Sequence, residues 1–345
     1  FEPKVRFFHM VPSRLVLLIT FFLTIQSCSD SSYDVDISEV AYKVEVKRLD
    51  RDLFQTQNKD GEWLAGINDK YGTFSSIYFE EIMRIGDAQN PMTAGLAGRF
   101  TDDPTWSQLQ QIIERHFPNL EQESAELEVA LKRYAIHFKV DSLPNIVAYN
   151  SGYNVGIYPS EAWLGIGLEW YCGNSHPIIE QLPPDVFPQY KLDKMLPEYL
   201  VPNALKGYVS FKFREMDASK NLLRRMVHAG KLQFITAKLL NMEDYARVLN
   251  FTESDYNWCT ESAYDIWKFL LENDLFFNED PMQINKLMND GPFTPGMPVE
   301  SPGGVGNWVG LQMVKEYMAD HPEVTLRELM KMENDRVFLE YYKFK

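Results

Sequence analysis

Cys28 is the residue with the clearest chemistry. The apolar run Leu15-Val-Leu-Leu-Ile-Thr-Phe-Phe-Leu-Thr-Ile25 follows Arg14 and leads through Gln26-Ser27 into this thiol. A small residue before a cysteine at the end of a short apolar stretch has the order of a lipoprotein export signal, in which the thiol is acylated and the leader removed. The run is shorter than the roughly 20 residues that cross a bilayer as a helix, so an export leader is expected rather than a span. One acyl chain binds a membrane only marginally, and several together anchor firmly. The alternative is an ordinary secretory leader that happens to contain a cysteine.

Other chemistry is poorly supported. Asp290 and Glu300 are carboxylates on one long loop, but loop spacing fixes no distance, and paired-carboxylate hydrolysis needs a defined one. No Ser-His-acid arrangement and no phosphate-binding Gly-rich loop occurs in a convincing context. The six His residues are widely spaced, which argues against a general metal role. Beyond Cys28 there are Cys172 and Cys259. An oxidising envelope permits a bridge between them, and two buried free thiols are an equal alternative.

The elements that must position such residues follow from pattern. Hydrophobic residues make up 45% and aromatic residues 14% of the 345-residue chain, which excludes a disordered polymer. The formal charge of -15 gives no electrostatic reason to bind nucleic acid or anionic lipid broadly, so membrane attachment falls to acylation. We expect residues 1–27 to be an upstream segment and leader, 28–38 a lipidated cysteine and flexible tether, and 39–345 one folded domain. Residues 41–50 alternate and read as a strand, with a helical region opening at Arg51. Helical periodicity covers 72–85, 105–117 and 120–138, with Asp103-Pro104 as cap and first helical position. Strands are expected over 145–149 and 162–170, flanking turns around Ser151-Gly152 and 156–159. Helices return over 222–240, 243–250, 261–273, 306–320 and 326–332. The expected class is α+β: a predominantly helical compact domain with a small β-sheet.

Several of these segments together resemble the gliding-motility lipoprotein family GldB. The resemblance rests on Cys28, Val44-Glu-Val-Lys-Arg-Leu-Asp-Arg-Asp-Leu-Phe54, Ile166-Gly-Leu-Glu-Trp-Tyr-Cys-Gly173, Leu196-Pro-Glu-Tyr-Leu200 and Ser301-Pro-Gly-Gly-Val-Gly-Asn-Trp-Val-Gly310. It implies an envelope protein, expected at the outer membrane and periplasmic or surface-facing. Its expected partners are envelope proteins of the gliding and type IX secretion machinery, with a non-catalytic role and no cofactor.

A more distant resemblance is to zincin-like peptidases, whose H-E-x-x-H helix supplies two zinc ligands and a general base. Here Arg225-Met-Val-His-Ala-Gly-Lys-Leu232 keeps only His228; Ala229 stands at the glutamate position and Leu232 at the second histidine position. Glu261 resembles the later acidic ligand, so His228 and Glu261 are candidates for a degenerate cleft, with Lys231 and Glu272 beside them in the hydrolase alternative. Zinc enters only in that alternative. The resemblance implies a degenerate zincin-like scaffold. The Gly/Pro-rich loop 289–305 is the expected recognition surface, with Asp290, Phe293, Thr294, Glu300 and Trp308 as its candidate residues. The alternative is a structural lid. Trp258, Tyr264 and Trp267 form a second aromatic candidate; Tyr264 and Trp267, three residues apart, can share a helical face, and for that pair core packing is favoured. Trp308, between Gly306 and Gly310, is read as marking a close backbone approach.

Overall fold

Alternation around residue 146 sorts side chains onto the two faces of a small sheet. The computed structural model describes Phe1 and residues 33–214 and 221–342; Cys28 and the apolar run before it lie outside the described residues. Strands β1 (Val46–Arg48), β2 (Asn145–Tyr149), β3 (Ile157–Pro159) and β4 (Trp163–Gly167) pair in the order β1-β2-β4-β3. β1, β2 and β4 run parallel, with Val46 opposite Ile146 and Ala148 opposite Ile166, and β3 is antiparallel to β4. Ile146, Ala148, Leu164 and Ile166 enter a large core, while Val147, Tyr149 and Trp163 enter a smaller one on the other face. A sheet covered on both sides is expected where parallel strands dominate.

Helices build both layers. On the smaller core lie α1 (Leu49–Phe54), α2 (Gly61–Tyr71), α3 (Thr73–Ser76), continued by a π-helical turn over Ile77–Ile82, and α4 (Met92–Asp102). α5 (Pro104–His116) and α6 (Glu121–Phe138) pack into the large core. A short α7 (Gln189–Leu192) leads to α8 (Leu200–Lys212) and α9 (Leu222–Leu240). Then follow α10 (Tyr245–Leu249), α11 (Glu253–Glu261), α12 (Ala263–Glu272), α13 (Pro281–Met288), α14 (Val305–Asp320), α15 (Leu326–Lys331) and α16 (Arg336–Tyr341). The described fold is therefore predominantly helical with a small mixed sheet, of the α+β class. Its packing begins at Tyr33, whose ring meets Phe234 edge-on at 5.7 Å and whose carbonyl lies 2.9 Å from His137 Nε2.

Three expectations are corrected. The strand over 41–50 is confined to 46–48 because Leu49 opens α1. There Arg48 holds the fully buried Asp50 carboxylate through Nε and Nη2, at 2.8 and 2.7 Å. Gln110 Nε2 donates to the same carboxylate at 2.9 Å, and Asn150 Nδ2 donates to Gln110 Oε1 at 3.2 Å, so one polar chain joins α1, α5 and the end of β2. The helix expected over 261–273 is α12, Ala263–Glu272; Glu261 instead ends α11, with Ser262 between the two helices. Lys231, expected beside the cleft in the hydrolase alternative, is buried away from the cavity lining; its ammonium donates to Met332 O at 2.6 Å and sits 5.0 Å above the Phe338 ring.

α9 is the central element, packed by α14, α8, α6 and α10 and buried over most of its circumference. It meets α14 at two glycines. A Cβ at Gly310 would lie 1.8 Å from Met226 O, and one at Gly230 would lie 2.2 Å from Gly310 O. Side-chain-free backbone is what permits this approach, as the Gly306 to Gly310 segment suggested.

Gly310→Ala is therefore expected to destabilise the fold by more than about 3 kcal/mol, the upper end of ordinary overpacking. Gly66→Ala, in α2 with no atom within 4 Å of the added carbon, is expected to raise stability by about 0.5–1 kcal/mol. Urea unfolding of both variants tests the pair.

Candidate functional site

Two buried polar clusters carry enough chemistry to be considered. The first lies beyond the carboxyl ends of β2 and β4. Glu169 is completely buried, and its Oε1 accepts from Ser151 N at 2.8 Å, Ser151 Oγ at 2.6 Å and Tyr153 N at 3.2 Å. Burial pushes its pKa up to about 7, against the lowering effect of those hydrogen bonds. Ser151 is also buried, so the cluster has no open face for a substrate and ties the 151–155 turn to the sheet.

The second cluster is open. A cavity of about 500 Å³ lies among α8, α9, the end of α10 and the loop before α14. Ala229, Leu232 and Gln233 form its α9 wall, and Lys206 and Asn203 its α8 wall. Ile157, on the edge strand β3, lines it as well. Lys206 Nζ donates to Val248 O at 2.7 Å. Desolvation pushes its pKa down to about 8, reinforced by Lys194 and opposed by Asp290. Lys194 is buried and pairs with Asp290 Oδ1 at 3.1 Å. Gln233 is 6% exposed, and its Oε1 has no hydrogen-bond partner.

The Gly/Pro loop closes one side of this cavity, and its order comes from internal contacts. Thr294 Oγ1 donates to Pro302 O at 2.6 Å and accepts from Val305 N at 3.2 Å, while Thr294 N donates to Ser301 Oγ at 3.1 Å. A Cβ on Gly303 would sit 2.2 Å from Gly291 N, so the two limbs of the loop touch through backbone. Asn307 Nδ2 donates to Met288 O at 2.8 Å and ties the start of α14 to α13.

The expected recognition residues separate accordingly. Asp290 lines the cavity; Phe293 and Glu300 are exposed. Thr294 and Trp308 are buried and support the loop from within. Of the aromatic trio, Tyr264 is exposed and Trp258 half-buried, whereas Trp267 packs on Phe276 and Tyr342 at 4.7 and 5.0 Å. Cys172 and Cys259 are buried free thiols. Cys28 lies outside the described residues.

The zincin expectation finds no donor set. Ala229 and Leu232 line the cavity with a methyl and an isobutyl group, neither of which can ligate zinc or activate water. His228 is half-buried and Glu261 exposed, and neither is among the cavity's lining residues. Glu272 is exposed beside Lys268 at 3.8 Å. Among the described residues, no group of three or more His, Cys, Asp or Glu side chains could hold a metal ion. Sequence reasoning missed Lys194, Lys206 and Gln233; the available signal was a lysine within the apolar run Ala204-Leu-Lys-Gly-Tyr-Val209.

The described residues thus form an α+β fold, predominantly helical with a small mixed sheet, that carries an open polar cavity beside α9. The chain belongs to the GldB family: the family model described as gliding motility protein GldB matches residues 30–345. No curated protein and no solved structure matches significantly. Among the described residues, no helix is long and apolar enough to cross a membrane.

The buried Glu169 gives a pH test. The folded chain keeps a proton that the unfolded chain releases near 4.5, so this group's contribution is most favourable below that value and weakens as pH rises to about 7. Glu169→Gln lacks the slope. Its stability relative to wild type is expected to grow by on the order of 3 kcal/mol between about pH 4 and about pH 8, measured by urea titration.

Proposed function

We propose that this protein is a non-catalytic lipoprotein of the cell envelope that supports gliding motility or type IX protein secretion by binding other envelope proteins. Acylated Cys28 is its outer-membrane anchor, and the cavity with its Gly/Pro loop is its recognition surface. The observation that carries the reading is the α9 wall: the positions that would hold the base and a ligand of a zinc peptidase present Ala229 and Leu232. The family match over 30–345 supplies the gliding context. An anchor confines the protein to a surface and raises its encounter frequency with partners held there, so modest affinity suffices.

In a gliding bacterium carrying this gene, Cys28→Ala is expected to shift the protein from membrane to soluble envelope fractions and to reduce colony spreading to the deletion level. Normal spreading with a fully soluble product would contradict the proposal. Zinc content supplies a second readout: about one zinc per chain, lost in a folded His228→Ala variant, would favour the hydrolase instead.

A further inference from the structure

The cavity contains a charge imbalance and an unpaired amide. Lys206 and Lys194 both lie beside Asp290, the one acidic residue among the described residues lining it, and Asp290 is already paired with Lys194 at 3.1 Å. Lys206 carries three N–H donors and uses one, on Val248 O at 2.7 Å. An ammonium withdrawn from water requires an anion or further acceptors. Gln233, nearly buried on the facing helix, leaves Oε1 unsatisfied. A buried acceptor of this kind is costly unless something supplies a donor.

We propose that this cavity receives the C-terminal residue of an extended peptide segment, its α-carboxylate on Lys206 Nζ and its backbone N–H on Gln233 Oε1. The assignment rests on the reading of the cavity as a protein-recognition site and names what it recognises. An α-carboxylate and the amide N–H of the same residue supply the anion and the donor that the two side chains lack. A volume of about 500 Å³ suits a short chain end better than a folded surface. Leu232, Leu249, Phe251 and Met288 provide an apolar seat for the terminal side chains.

The test uses the full-length protein in detergent micelles and N-terminally labelled tetrapeptide pools, one with free C-termini and a matched pool of C-terminal amides, read by fluorescence anisotropy. The free-acid pool is expected to bind at least about tenfold more tightly than the amide pool, a difference of about 1.4 kcal/mol. With each variant confirmed folded by circular dichroism, Lys206→Met is expected to lose that preference, Lys206→Arg to keep part of it, and Gln233→Leu to weaken binding of both pools alike while the preference remains. Equal binding of the two pools, or binding of neither, would overturn the assignment. If the pools are not distinguished but the charge reversal Asp290→Lys still abolishes spreading with the protein folded and anchored, the recognition role stands and the carboxylate reading falls. If Lys206→Met and the Asp290 reversal change neither peptide binding nor spreading, both fall.

Discussion

Direct backbone contact between α9 and α14 is the constraint on which the architecture depends. Ordinary helix pairs stand about 8–10 Å apart, separated by side chains. Here Gly230 and Gly310 remove those side chains, and the carbonyls of Met226 and Gly310 occupy the space. The crossing also sets the cavity. Its α9 wall comes from Ala229, Leu232 and Gln233, one turn around Gly230, and its opposite side from Gly303 and Asn307 at the entrance to α14. Altering the interhelical distance would alter the width of the site.

The sheet plays a different part. Its two faces feed two separate cores, and its strand ends are held by buried polar groups: Asp50 with Arg48 and Gln110 below α5, and Glu169 with Ser151 and Tyr153 at the turn after β2. Such networks are costly if incomplete and specific if complete. They stiffen the turn that leads into β3, the edge strand reaching the cavity. The cavity thus has a preformed floor, so a ligand entering it would need to order little chain.

How much of this was legible follows from the physics of each segment. Strand β2 and helix α9 were read with their observed bounds, because the short buried run Ile146-Val-Ala-Tyr149, with β-branched Ile146 and Val147, and a long 3.6-period pattern are strong local signals. The tight approach near Trp308 was legible from closely spaced glycines. Periodicity could not show that α9 is covered nearly all round, since Lys231, Gln233 and Thr236 look like a solvent face until tertiary packing buries them. The same limit hid the cavity: Lys194, Lys206 and Gln233 come from three separate segments, and no local spacing links them. The aromatic pair Tyr264 and Trp267 shows the converse error, because i,i+3 spacing allows a shared face but does not say where the core boundary falls.

Cys172 and Cys259 have a consequence beyond packing. Both thiols are buried, burial holds both in the protonated form, and Cys172 Sγ donates to Leu168 O at 3.4 Å. The thiolate is the reactive species, so the native fold is chemically silent at both positions. A chain that opens exposes two sulfurs at once, and an exposed thiol can ionise and be oxidised. A variant that folds slowly prolongs that exposure, so disulfide-linked dimers, reducible by added thiol, would accumulate in it wherever the surroundings are oxidising.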